Sequence, residues 1–344
     1  MKKTLLAIAV LAASGAAMAQ SSVTLFGTVD TAVTIVDGAE RVSALVGSGL
    51  GSSALGFRGV EDLGGGAKAE FWLEGAITPD DGAGYGGGAT GSGFEFKRRS
   101  SLSLHANWGE IRMGRYLTAA YQATSRYDPF GANGIGASRS WSQGTYDVRR
   151  SNMVGYYSPN WSGFKVALNS AFGEASDGSD KASYLGGSLT YDNGPLSLGL
   201  GAEKRKGSAI APVSNKVEAY SIGGAYQFGG VKVALAYVDQ ETNNVLDIEN
   251  YLLGVTAKLG ATSTLKFAYN RYDFGAPKAD HFSLGYVQDL SKRTAVYGTY
   301  AYMKNKNGAA VLLNAANNLS GNALGAGLDS GKQHGLQLGI RHNF

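Results

Sequence analysis

The sequence contains no cysteine, which excludes disulfide scaffolds, thiolate-bound zinc and cysteine nucleophiles. Charged residues make up only 17% and hydrophobic residues reach 44%, a composition too apolar for a disordered chain. The mean hydropathy of −0.12 is too low for a bundle of membrane-spanning helices. Glycine supplies 51 of the 344 residues without the three-residue period of collagen. Together with 19 tyrosines, this composition indicates many strands and many turns.

The first 19 residues have the pattern of a secretory signal peptide. Lys2 and Lys3 form a positive start, an apolar run covers 5–13, and Ala17 and Ala19 provide small residues for cleavage. The apolar run is too short to cross roughly 30 Å of hydrocarbon, which argues against a membrane anchor. We therefore predict a signal peptide over 1–19 and a single domain over 20–344.

Alternation of apolar and polar residues recurs along the rest of the chain. In the first such segment, Val23, Leu25 and Val29 alternate with threonine and aspartate, and Leu336, Leu338 and Ile340 alternate with polar residues at the other end. This period of two predicts strands with one apolar face. We place sixteen strands near 23–36, 52–60, 66–75, 94–106, 109–117, 150–158, 163–172, 182–192, 196–204, 216–228, 231–238, 250–259, 263–273, 280–289, 294–304 and 332–344.

Alternation alone does not separate a secreted sandwich from a membrane barrel. In both, each strand has one apolar and one polar face, and the apolar face packs on a second sheet in the sandwich and contacts lipid in the barrel. The signal peptide, the even strand count, the alternation of short turns with long loops and the terminal Phe344 favour the barrel. In lipid every backbone N–H and C=O must be paired, so a sheet there has to close on itself. The prediction is an all-β protein, a 16-stranded antiparallel transmembrane β-barrel, wide enough to enclose water.

Six stretches carry a resemblance to a known family. They are SVTLFGTVD at 22–30, LGFRGVEDLGGG at 55–66, GEIRMGR at 109–115, DPF at 128–130, YSP at 157–159 and GIRHNF at 339–344. In this order the chain resembles the Gram-negative general (diffusion) porins, most closely those of the β-proteobacterial, neisserial type. The resemblance implies a homotrimer in the outer membrane, in which loop 3, here 118–149, folds into the lumen as a constriction. It implies passive diffusion of ions and small hydrophilic solutes.

The resemblance also implies partners. They are outer-membrane lipid, lipopolysaccharide and the barrel-assembly machinery, which would recognise the last strand through Phe344. No cofactor, metal or nucleic acid is expected.

The expected pore residues are mostly basic. Alternation directs Arg58 into the lumen, and it favours Arg99 where the family pattern favours Arg98. Arg149 and Arg150 present the same ambiguity. The full set expected at the constriction or in the lumen is Arg58, Arg98, Arg99, Arg115, Asp128, Arg149 and Arg150.

These basic residues suggest weak to moderate anion selectivity, because charged rings at a narrow site set the local ion concentration. Two features count against a strong preference. Ala54 stands where the family commonly has arginine, and Asp30, Glu70, Glu74 and Glu110 are expected to point inward.

Three other function classes are weighed as alternatives. The four histidines lie in no recognisable nucleophilic or metal-binding motif, so an enzyme is not expected. A substrate-specific channel would need a ladder of lumen aromatics, whereas Trp72, Trp108, Trp141 and Trp161 are scattered along the chain. An adhesin would show no conductance at all, which a single-channel recording would reveal.

Overall fold

A computed structural model describes residues 22–38, 41–84, 93–139, 148–174, 183–206, 216–242, 246–313 and 331–344. The predicted signal peptide and Trp141 lie outside these residues. The described strands are β1 Ser22–Asp37, β2 Arg41–Gly47, β3 Ala54–Gly64, β4 Ala67–Thr78, β5 Ala83–Gly84, β6 Arg99–Ala106, β7 Gly109–Leu117, β8 Arg149–Tyr157, β9 Phe164–Ala171, β10 Tyr184–Asn193, β11 Leu196–Arg205, β12 Val217–Phe228, β13 Val231–Thr242, β14 Leu246–Leu259, β15 Ser263–Asp273, β16 Lys278–Asp289, β17 Thr294–Lys306 and β18 Lys332–Asn343.

The strands close into one antiparallel barrel. On one side β1 pairs with β18, with Thr28 opposite Asn343. On its other side, residues 31–37 of β1 pair with β2 and residues 22–28 pair with β3. Hence β2 and β3 are two halves of one wall strand, and the two-residue β5 only pairs with the end of β4, at Ile77 and Thr78. The described segments therefore form a closed barrel of sixteen wall strands, and this prediction is confirmed.

One predicted loop is wrong. The predicted strands 23–36 and 52–60 leave residues 37–51 as a long loop between them, but 41–47 form strand β2. Val42 and Val46 of this strand face the lumen side, with Val46 fully buried, while Leu45 is exposed. The strand was missed because it is short and is followed by glycine and serine, which normally indicate a turn.

The two faces of the wall differ as the alternation predicted. The outward face is apolar and exposed, as at Leu102, Leu198, Leu200 and Leu338. Because no described residue covers this band of leucine, valine and aromatic side chains, it is suited to contact lipid. The inward face carries small and polar residues.

The buried apolar clusters lie inside the barrel, where in-folded chain meets the wall. The largest cluster joins Ile135 to Tyr272 and Met303 of the wall and to Val311 and Leu313 of the segment after β17.

A short helix follows β7. This helix, α1 (Ala119–Ser125), begins at Thr118, whose side chain accepts a hydrogen bond from the Tyr121 N–H. It was not predicted, because seven residues are too few to show a helical period. In the described part of the chain, no helix combines the length and the apolar character needed to cross a bilayer.

Candidate functional site

The segment 118–139, called here the inner segment, lies against the inside of the barrel wall. At its start the Asn169 side chain of β9 accepts a hydrogen bond from the Ala119 N–H at 2.6 Å. Glycines make room for α1 on the neighbouring strands. A Cβ at Gly199 would lie 2.5 Å from the Ala123 carbonyl oxygen, and one at Gly201 would lie 2.9 Å from that of Ala120. The helix therefore sits on the backbone of the wall.

The middle of the inner segment is held by apolar contacts. Pro129 packs on Gly254 of β14, where a Cβ would lie 2.7 Å from the proline ring, and Phe130 packs on Gly285 of β16. The ammonium of Lys266 lies 5.7 Å from the centre of the Phe130 ring, within the range of a cation–π contact.

Asp128 organises this segment from within and does not face the water. Its carboxylate accepts hydrogen bonds from the N–H groups of Phe130, at 2.9 Å, Ser138, at 2.8 Å, and Ala132, at 3.4 Å. Burial raises the pKa of the Asp128 carboxyl, and these N–H donors act in the opposite direction. Asp128 is only 6% exposed. The expectation of an acidic group lining the constriction is therefore not met at this position, because the loop uses the carboxylate to satisfy its own backbone.

A cavity of about 570 Å³ separates the inner segment from the opposite wall. The inner segment contributes Tyr121, Gln122, Ser125, Arg126, Gly131 and Asn133 to its lining. The opposite wall contributes Phe26, Thr28, Ser52, Ala54, Glu74, Arg98 and Arg149.

Three guanidinium groups and one carboxylate line this cavity. Arg98 pairs with Glu74, with 2.5 Å between Nε and Oε1. Arg126 makes a two-pronged pair with Asp192 of β10, at 3.1 and 2.5 Å. Within the described part of the chain Arg149 forms no ion pair, and its Nε donates to the Arg98 carbonyl at 3.0 Å. The lining thus has a formal net charge of +2.

Arg98 and Arg99 both reach inward, which resolves their ambiguity. Regular pairing of β6 begins only at Arg99, so Arg98 lies outside the alternation. Arg99 bonds Glu70 at 3.1 Å and lies 4.4 Å from the Trp72 ring centre.

Arg58 lies opposite Trp72 on the same face of the wall. Its guanidinium lies 5.5 Å from the Trp72 ring centre and 5.9 Å from that of Phe26. Glu110, which was expected to point inward, accepts a two-pronged pair of hydrogen bonds from Arg112 at 2.7 and 2.9 Å.

The remaining expected residues lie elsewhere. Arg115 sits at a register shift of β7, where its guanidinium donates to the Lys97 carbonyl and the Ser151 hydroxyl. Arg150 pairs with Tyr116 across β7 and β8 and does not belong to the described cavity lining. Phe344 lies on the outside of the barrel seam, where its ring covers Gly27.

Two residues of the site have roles that the sequence did not reveal. Arg126 lies within the expected loop 3 but was not expected at the cavity, because only its partner Asp192, 66 residues away, fixes where it points. Asp30 was expected to add negative charge to the lumen. It is fully buried, and its carboxylate accepts hydrogen bonds from three backbone N–H groups and the Tyr297 hydroxyl.

Comparisons with known proteins agree with this architecture. The model of a family described as Gram-negative porin matches residues 4–308. Outer membrane porin protein 32 of Delftia acidovorans is 44% identical over the whole of both chains. Major outer membrane protein P.IB of Neisseria meningitidis serogroup B is 26% identical, over 92% of this chain and 97% of its own. Among solved structures, an anion-selective porin from Comamonas acidovorans is 41% identical with a TM-score of 0.83, covering 94% of this chain and all of its own.

Proposed function

The chain belongs to the Gram-negative porin family, and we propose that the cavity beside the inner segment is the constriction of an anion-preferring channel. The protein is an outer-membrane porin, a water-filled channel for passive diffusion of ions and small hydrophilic solutes. The family and the relatives named above are channels rather than enzymes.

The observation that carries the proposal is the charge lining the cavity. Arg98, Arg126 and Arg149 face a single carboxylate, Glu74. In a narrow passage with low-dielectric walls such an excess raises the local concentration of anions. The 41% identical relative described as an anion-selective porin supports the same sign.

Two further acids that could oppose this charge do not face the water of the lumen. Asp30 and Asp128 are buried, and both carboxylates accept hydrogen bonds from backbone N–H groups. Partial positive charge on those N–H groups offsets the carboxylates locally. The lumen therefore contains less effective negative charge than its sequence suggests.

Ion pairing limits the strength of the preference. Arg98 and Arg126 each have a carboxylate partner, and only the Arg149 guanidinium is left without one among the described residues. Ala54 also leaves the lining without an additional wall arginine. We therefore propose weak to moderate anion selectivity.

We further propose that three copies form the functional unit. On the outer face, Phe94 packs edge-on against Phe96 at 5.3 Å, and Phe96 against Phe57 at 6.5 Å. Such an aromatic patch suits burial against a second copy of the chain. The resemblance to trimeric porins supports the same state.

Three expectations about export and assembly belong to the same proposal. Residues 1–19 would be removed on export, leaving the barrel domain over 20–344. The barrel-assembly machinery would bind the last strand, whose terminal Phe344 lies at the seam. Lipid and lipopolysaccharide would contact the apolar outer band.

Recording from detergent-extracted protein in a planar bilayer tests the proposal. With a KCl gradient across the bilayer, we expect a zero-current potential of the sign given by chloride preference, and conductance steps grouped in threes. A cation-preferring sign would refute the selectivity, and ungrouped steps would refute the trimer. Saturable block by one solute would favour a substrate-specific channel instead.

A further inference from the structure

The wall strand formed by β2 and β3 is interrupted by residues 48–53, called here the inner bend. Pairing with β1 stops at Gly47 opposite Thr31 and resumes at Ala54 opposite Thr28. Two residues of β1 therefore face six residues of its neighbour, and the surplus chain lies on the lumen side. Ser52 lines the cavity.

Asp30 holds the inner bend in place. One carboxylate oxygen accepts from the N–H groups of Leu50, at 2.8 Å, and Gly51, at 2.6 Å. The other accepts from the Gly49 N–H at 3.1 Å and from the Tyr297 hydroxyl at 2.6 Å. These N–H groups have lost their ladder partners, so the buried carboxylate supplies the hydrogen bonds that β1 cannot.

The inner bend contacts the far end of the inner segment. The Ser52 hydroxyl donates to the Asn133 side-chain oxygen at 2.8 Å. Beside it, Gly134 lies directly on the bend, because a Cβ there would come within 2.3 Å of the Gly49 carbonyl oxygen. The hydrogen bond and the backbone contact together join two elements that are about 80 residues apart in sequence. The contact therefore depends on the folded barrel and not on the local sequence of either element.

We propose that the inner bend is a positioning element for the constriction, with Asp30 as its key residue. Asn169 fixes the start of the inner segment on one wall. The bend fixes the far end of that segment, Asn133 and Gly134, called here the tip, on the opposite wall. The cavity is bounded at both ends by these anchors, so the position of the tip sets its width. The inference rests on the proposed constriction, and it adds a group that touches no permeating ion but controls the aperture.

Cross-linking tests the geometry directly, since the natural chain has no cysteine. The pair Ser52→Cys with Asn133→Cys should form a disulfide when the assembled protein is treated with diamide. The control pair Ser52→Cys with Gln122→Cys should not, because Gln122 also lines the cavity but bonds the Leu117 and Thr118 carbonyls at the other end of the segment. Equal cross-linking of both pairs would overturn the proposal, since the tip would then not be fixed.

Asp30→Asn, added to the Ser52→Cys and Asn133→Cys pair, tests the positioning residue. The amide offers one acceptor oxygen where the carboxylate offers two, and its NH₂ group faces N–H donors. We expect a loss of cross-link yield while the heat-dependent shift of the folded barrel on gels is retained. Full cross-linking in the Asp30→Asn variant would show that Asp30 does not position the inner bend.

A pair of glycine variants tests the effect on conduction. Gly134 and Gly229 both have left-handed backbones, with φ of 67° and 57°. A Cβ at Gly134 meets the bend, whereas a Cβ at Gly229, in the turn between β12 and β13, has no atom within 4 Å. Backbone strain is therefore similar in the two variants, and only Gly134→Ala should push the inner segment off the bend. We expect Gly134→Ala to raise the open-channel noise and to alter the conductance, and Gly229→Ala to do neither.

The two readouts separate this inference from the proposed function. If the cross-link depends on Asp30 but neither glycine variant changes the current, the bend positions the tip and the constriction proposal fails. If the two glycine variants change noise and conductance equally, the contact with the bend has no role of its own and this inference fails. Both variants should show the heat-dependent gel shift of a folded barrel, so a loss of folding cannot be mistaken for either result.

Discussion

Replacing Arg149 with glutamine should weaken the anion preference more than any other single change at the cavity. Arg149 opens β8 and lines the cavity, and among the described residues its guanidinium forms no ion pair. Glu74 pairs directly with Arg98 and acts on Arg149 only at longer range, so the charge of Arg149 is the less cancelled of the two. Glutamine retains a side-chain N–H that can reach the Arg98 carbonyl, so the change is mainly one of charge.

The size of the effect follows from Coulomb's law. An ion passing about 6 Å from a unit charge in a water-like dielectric interacts with it by about 0.7 kcal/mol. An anion gains this energy and a cation loses it, so the discrimination is about 1.4 kcal/mol before screening. Salt at about 0.1 M, with a Debye length of about 10 Å, roughly halves it. A remaining difference of about 0.7 kcal/mol corresponds to about a threefold fall in the chloride-to-potassium permeability ratio.

The assay is the zero-current potential in a KCl gradient, measured for the natural protein and for Arg149→Gln. Arg293→Gln is the matched control, because it removes the same charge from an exposed turn outside the barrel strands. Its permeability ratio should stay at the natural value. An Arg149→Gln channel with an unchanged ratio would refute the assignment of selectivity to this lining.

Asp128→Asn provides a second control of opposite charge. Its carboxylate is buried and bonded to backbone N–H groups, so its removal should leave the zero-current potential unchanged. A shift toward anions would mean that Asp128 contacts the permeating ions after all.

Two further outcomes concern packing. Gly199→Ala should lower the single-channel conductance, because a Cβ lying 2.5 Å from an α1 carbonyl oxygen would push the helix into the lumen. Gly224→Ala, on the outward face of β12, is the control and should leave the conductance unchanged. Equal conductances of the two variants would contradict this packing. Phe344→Ala should lower the fraction of heat-resistant assembled barrel, because the Phe344 ring covers Gly27 at the seam. Leu338→Ala on the same strand is the control. An equal loss of heat-resistant barrel in both variants would argue against a special role of the terminal residue.

The wall strands could be predicted because their signal is local. Alternation is visible within a few residues, as in the strand over 109–117, whose observed bounds are those expected. The same rule placed Arg58 on the inward face. Where the ladder breaks, the rule stops applying, and this is why Arg98 could not be oriented from sequence.

The contents of the lumen could not be predicted because distant residues decide them. Asp30 is buried by Tyr297, which lies 267 positions away, and Arg126 is oriented by Asp192. Neither partner is visible in the local pattern. The interruption between β2 and β3 is invisible for the same reason, since the extra residues are stabilised by a carboxylate on the neighbouring strand.

In the proposed constriction, ion selectivity depends on which charges the backbone leaves exposed. The sequence predicts six arginines but also five carboxylates in the lumen, so a simple count predicts only a weak anion preference. Asp30 and Asp128, however, serve as acceptors for unpaired N–H groups of in-folded chain, and that structural use removes them from the water. Arginine has donors and no acceptor, so it cannot satisfy these N–H groups. Where arginine bonds a backbone carbonyl, as Arg149 does, it still lines the cavity. Folding chain into the lumen thus uses Asp30 and Asp128 as backbone acceptors and leaves the Arg149 guanidinium along the proposed passage.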